Sequence, residues 1–309
     1  MRKLILKIGW FSIPIVVFCG AIELFYRFVP NDYSVKHATI PSKFKNTEVL
    51  IFGNSHTFYG LNPHYFDRPT FNLAFVSQTL YFDKLLFDTY ISKFQNLKCV
   101  ILHIEYTSLS ELVATKENNW RKYYYRYYLK LNVPSISKFD IRKYSLATTR
   151  TINFNTKLMV QYCKEGSIVN CDSNGFGIDY TPEKSIKIEK KDALKRVENV
   201  EDHLMDFTEN YNRIQSMITT CNKRGIKVII LNMPVTTYFS EAVNQTKLKK
   251  IQKTCSEIAQ QNKNVTYLNL FQNRTFIADD FYDVDHLNTN GAKKCSLLVN
   301  RFLNAYLGN

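Results

Sequence analysis

The stretch Val49-Leu50-Ile51-Phe52-Gly53-Asn54-Ser55-His56 decides the fold. Four consecutive apolar residues fit a strand buried on both faces, as strands are in a parallel sheet. Gly53 permits a sharp turn directly after it. A serine set on such a turn presents its hydroxyl at the carboxyl end of the strand.

Outward from this stretch the pattern repeats. Residues 71–75 predict a short second strand, and 99–104 and 228–232 predict further strands, as do 265–270. Residues 80–94 show helical apolar spacing at Leu80, Phe82, Leu85, Leu86, Tyr90 and Phe94. Helices are also expected over 206–224, closed by Gly225, and over 246–261 and 291–307. Strands alternating with helices imply an α/β domain, with a mainly parallel sheet between two helical layers. Ligands in such sheets bind at the carboxyl ends of the strands. The segment Asp283-Val284-Asp285-His286-Leu287-Asn288 also follows a predicted strand, so it can meet Ser55 at that edge. Ser55 as nucleophile, His286 as general base and Asp283 as its orienting carboxylate would make a covalent acyl-transfer site. Asp285 is expected to be a solvated or capping carboxylate.

The N-terminus sets the compartment. Arg2, Lys3 and Lys7 precede a mainly apolar run that reaches Val29, interrupted by Glu23. It exceeds the roughly 20 residues a bilayer span needs. The basic flank predicts a cytoplasmic N-terminus and an extracytoplasmic remainder. The expected organisation is a membrane anchor over 1–29, with a cleaved signal peptide as the alternative, a polar linker over 30–46 and a domain over 47–309. An insertion at about 111–201 breaks the strand–helix alternation. It contains an aromatic and basic run over 120–130, which predicts either a sugar-stacking surface or an amphipathic helix whose tyrosines pack inward.

With 41 Lys and Arg against 27 Asp and Glu, the 309-residue chain carries a net charge of +14. The excess favours anionic lipid or acidic glycan, and no nucleic-acid motif accompanies it. Of seven cysteines, Cys163 and Cys171 lie in a polar segment and are a candidate disulfide, while Cys99 reads as a core residue. No Cys-x-x-Cys pair or histidine-rich cluster indicates a metal, and no cofactor is expected. Three Asn-x-Thr acceptor patterns, at Asn244, Asn264 and Asn273, carry meaning only in a glycosylating host.

The run from Val49 to Pro63 resembles the first block of the SGNH (GDSL-like) hydrolase superfamily, in which a strand ends in Gly-Asp-Ser or a variant. Phe281 to Ala292 resembles its last block, Asp-x-x-His before a helix. The resemblance implies the flavodoxin-like SGNH fold and the triad roles above. Asn54 stands where the family more often has Asp. His56 is expected to contact substrate or to be structural. The Ser55 backbone N–H is the expected first oxyanion donor. The family's second donor, a Gly after the second strand, is missing. Asn72 and Ser77 lie in that region and are candidate substrate or oxyanion contacts. The family's Gly-x-Asn-Asp block is also absent, and His103-Ile104-Glu105-Tyr106-Thr107-Ser108 takes its place. Together with the anchor, these departures resemble membrane-anchored branches such as the D-alanyl-transfer and alginate O-acetylation proteins. That likeness implies O-acyl transfer or ester hydrolysis on a cell-surface glycan, beside a membrane-bound O-acyltransferase. A non-catalytic glycan-binding or scaffold subunit is the alternative.

Overall fold

The computed structural model describes residues 2–113 and 118–308, so residues 114–117 of the expected insertion lie outside the described residues. The described chain forms two compact units, 2–38 with 118–169, and 39–113 with 170–308.

The second unit holds an α/β fold. Strands β1 (Val49–Phe52), β2 (Thr70–Asn72), β3 (Cys99–His103), β4 (Lys227–Asn232) and β5 (Val265–Asn269) form one sheet in the order β2-β1-β3-β4-β5. Every neighbouring pair is parallel. The β1 strand is wholly buried, which explains its unbroken apolar sequence. Val49, Ile51, Ile101, Ile229 and Leu231 pack on one face with Leu287, Val299 and Leu303. On the other face Phe52 meets Phe87 at 6.0 Å between ring centroids. Each fully buried side chain of this size contributes about 1.5–3 kcal/mol, so the sheet's interior dominates the stability of this unit. Chain order reverses between β1 and β3, so a switch point opens at their carboxyl ends.

Within the described residues, helices run in chain order as α1 (Arg2–Phe28), α2 (Asp32–Lys43), α3 (Ser55–Gly60), α4 (Leu80–Tyr90), α5 (Arg121–Tyr127), α6 (Ile152–Glu165), α7 (Lys190–Val200), α8 (Thr208–Lys223), α9 (Thr237–Ala242), α10 (Gln245–Gln261) and α11 (Thr289–Leu307). β2 ends three residues earlier than its apolar sequence predicts. The Asn72 Oδ1 accepts the Ala74 N–H at 2.9 Å and turns the chain out of the sheet. The segment 30–46, expected as a linker, contains α2. Asn31 supplies the cap, its Oδ1 accepting the N–H groups of Tyr33 and Ser34.

The first unit contains the apolar helix. Leu6–Phe28 is long enough to cross a membrane, with a mean hydropathy of 2.0. Trp10, Phe11, Val16 and Val17 are exposed along it. Four of the five tyrosines of the 120–130 run point inward. Tyr123, Tyr124, Tyr125 and Tyr128 are buried, and Tyr124 meets the rings of Tyr26 and Tyr33 edge-on. These four rings are therefore packing residues rather than a sugar-stacking surface. Cys163 is an exposed thiol on α6 and forms no bridge.

Candidate active site

The Ser55 turn follows from three residues after β1. Gly53 has φ +137°, and a Cβ there would lie 2.6 Å from His103 Cβ and 2.7 Å from Thr57 Oγ1. Only glycine fits both the backbone and the space. Its N–H donates to Asp83 Oδ1 at 3.0 Å, and burial pushes the Asp83 carboxyl up to about 7. Asn54 caps α3, its Oδ1 accepting the His56 N–H at 3.0 Å. An uncharged amide performs this cap as well as a carboxylate. Ser55 is then the first residue of α3, where a backbone N–H has no intrahelical acceptor.

The opposing residues come from the loop before α11. Asp283 Oδ1 accepts the backbone N–H groups of Asp285 and His286, at 3.0 and 2.8 Å, and folds the loop back on itself. Asn288 caps α11 through Asn290 and Gly291. A Cβ on Gly291 would sit 2.0 Å from the Asp280 carbonyl oxygen, so this loop also depends on a glycine.

The two segments meet. Ser55 Oγ lies 2.8 Å from His286 Nε2. His286 Nδ1 lies 3.0 and 3.1 Å from the two oxygens of Asp283. Tyr180 stacks between Tyr59 and Tyr282, with centroids 3.6 and 3.8 Å away, and stands edge-on to His286 at 5.5 Å. The series Ser55, His286, Asp283 has the geometry that a nucleophile, a base and an orienting carboxylate would require.

Further polar groups surround it. His56 stacks on His286 at 4.4 Å and is buried. It meets Glu105 Oε2 through Nδ1 at 3.0 Å and Asp285 Oδ2 through Nε2 at 3.5 Å. Asp285 differs from its expected solvated role. It is 2 % exposed, lies 3.3 Å from His286 Nδ1 and accepts from Arg196 Nε at 2.9 Å. Two carboxylates therefore face one imidazole. Burial opposes charge on His286, but the fields of Asp285 and Asp283 overcome it and push its pKa up to about 10. Burial and the charge of His286 also oppose protonation of His56. Asp285 and Glu105 outweigh them and raise it. Glu105 is held down at about 2, against the cost of burial, by its contacts with His56.

Asn72 turns its amide away from Ser55. Its amide donates to the carbonyls of Thr57 and Leu61 at 2.8 and 3.1 Å and braces the turn after α3. Ser77 has φ 55° in the Phe75–Gln78 turn, which matches the position where a type II turn needs positive φ. Arg196 and Tyr180 were not singled out by sequence, His103 and Glu105 were noted only as standing in place of an absent block, and Asp285 was assigned a solvated or capping role. For Glu105 a signal existed, a charged residue just past a buried strand at the switch-point edge. Arg196 lies in a charge-rich helix and gave none.

No family model matches the chain, and no curated protein matches it. Among solved structures it is similar to a protein from Streptococcus pneumonia provisionally named a platelet activating factor. That match has 12 % identity and a TM-score of 0.41, covering 98 % of both chains. A second is provisionally named an acylhydrolase, from Bacteroides fragilis NCTC 9343. It has 13 % identity and a TM-score of 0.42, over 89 % of this chain and 95 % of that one.

Proposed function

We propose that the chain is an SGNH-type serine enzyme that transfers or hydrolyses O-acyl groups on an extracytoplasmic surface glycan, held at the membrane by α1. The observation that carries this reading is the contact series Ser55 Oγ, His286 Nε2, His286 Nδ1, Asp283. Neutral His286 takes the Ser55 proton as Oγ adds to an ester carbonyl. The tetrahedral oxyanion points toward the Ser55 N–H. Collapse expels the alcohol, which takes the proton from His286 and leaves an acyl-Ser55. A sugar hydroxyl or water, deprotonated by His286, then adds to this ester and regenerates Ser55. Asp283 fixes the tautomer and stabilises the imidazolium. A membrane-bound O-acyltransferase that supplies the acyl group is the partner this scheme calls for.

The elevated pKa of His286 favours a second reading. A histidine held protonated by two carboxylates has little of its neutral, proton-accepting form at neutral pH. A scaffold or glycan-binding subunit could keep such a charge cluster without chemistry. Loading the protein with an activated acetyl ester separates the readings. An acyl-enzyme that persists in water and discharges on added glycan supports transfer, and rapid discharge to water supports hydrolysis. A wild type that never acylates supports the scaffold.

A further inference from the structure

His103, the last residue of β3, is 3 % exposed. Its Nδ1 lies 3.0 Å from the Leu231 carbonyl oxygen. A carbonyl only accepts, so Nδ1 carries the proton and Nε2 the lone pair. That Nε2 is buried without a hydrogen-bond partner. A buried polar atom left unmet costs about 1–3 kcal/mol, so a group that would meet it is worth seeking.

His56 and Glu105 lie beside it. A ligand atom from each of His56, His103 and Glu105 falls within 4.8 Å of the other two. His56 Nδ1 and Glu105 Oε2 are 3.0 Å apart, and Asn54 Oδ1 is 3.1 Å from the same nitrogen; both oxygens accept its N–H, so an ion bound there displaces that proton and leaves the other on Nε2. Zinc bonds of 2.0–2.1 Å give a tetrahedral edge of about 3.3 Å, close to the first of these separations. A cavity of about 40 Å³ adjoins the three residues and is also lined by Arg196 and Asp285. That volume exceeds the roughly 10–15 Å³ that one water needs.

We propose that His56, His103 and Glu105 form a binding site for a divalent first-row transition ion of the zinc type. His103 offers Nε2, His56 offers Nδ1 and Glu105 offers a carboxylate oxygen. Two imidazoles and a carboxylate suit zinc better than magnesium or calcium. Each imidazole has an outer partner for its second nitrogen. His103 Nδ1–H donates to Leu231, and His56 Nε2–H faces Asp285 Oδ2, which Arg196 holds in place. Such outer contacts orient metal-binding histidines. The alternative grouping of His56, Asp285 and His286 is less suited. There both nitrogens of His286 already face Ser55 and Asp283.

The test uses the full-length protein in detergent, stripped with EDTA and dialysed, then titrated with zinc by calorimetry. One equivalent should bind. Glu105→Gln, whose side chain is partly exposed, should weaken binding at least about tenfold with an unchanged circular dichroism spectrum. His103→Gln should do the same if it folds. His203→Ala, at an exposed site, should bind as the wild type. Absence of stoichiometric binding, or unchanged affinity in Glu105→Gln, would overturn the proposal. So would a greater loss in His286→Ala than in Glu105→Gln, because it would place the ion on the catalytic pair.

Discussion

Replacing Asp285 with Asn should make His286 easier to deprotonate. The carboxylate is buried, 3.3 Å from His286 Nδ1 and 2.9 Å from Arg196 Nε. At an effective dielectric of about 20, a charge pair at that separation is worth about 5 kcal/mol before compensation. Arg196, freed of its partner, will repel the imidazolium and push in the same direction. Loss of the negative charge also relieves burial strain on the site. Neighbouring charges move a pKa by about 1–3 units in practice, and that is the downward shift expected from the wild-type value of about 10. Breaking a buried pair can cost about 3–5 kcal/mol, but Arg196 is partly exposed and can turn to water, so the stability loss should be smaller. The assay is the second-order rate of fluorophosphonate labelling against pH, on EDTA-treated protein. Labelling requires neutral His286, so its rate rises with pH to a plateau. The midpoint should fall by about 1–3 units in Asp285→Asn. A midpoint that stays in place or rises would refute the two-carboxylate account of His286.

Other perturbations give equally direct outcomes. Asp283→Ala removes the acceptor for two backbone N–H groups as well as the imidazole's partner, and should cut labelling about 100- to 10,000-fold while costing about 1–3 kcal/mol in urea unfolding; wild-type labelling would contradict the clamp. Gly53→Ala forces a side chain into a positive φ and against His103, and should cost about 2 kcal/mol or more together with the labelling activity, where a stable and active variant would contradict the turn. His286, raised in the folded state, stabilises fully below about pH 6.5, and that contribution is lost as pH rises through about 10. Glu105, lowered to about 2, contributes above about pH 4.5 and loses it as pH falls toward 2. Thermal stability should therefore peak between about pH 4.5 and 6.5; a steady rise from pH 6.5 to 10 would speak against the His286 assignment, and no loss from pH 4.5 toward 2 against that of Glu105.

The sheet was legible because β1, β3 and β4 are buried on both faces, and such strands write themselves as unbroken apolar runs. Their ends were less legible. β2 stops where one side chain, Asn72, diverts the backbone, and α2 starts on the local cap of Asn31 within a polar stretch. Ser55 and the Asp283–His286 pair could be read because each lies on a short, locally determined turn at a strand end. The wider charge cluster could not. His103 and Asp285 are placed by strand register and loop folding against partners distant in sequence, and neither position carries a local signature. Asp285 read as a solvated carboxylate because its burial depends on Arg196, 89 residues away.

The central claim is that Ser55 is the nucleophile. Full-length protein treated with a fluorophosphonate, followed by peptide mass mapping, tests it most directly. The account predicts one adduct, located on Ser55 and lost in both Ser55→Ala and His286→Ala, with Ser55→Ala folded as the wild type. An unmodified wild type, or an adduct that survives in Ser55→Ala, would contradict it.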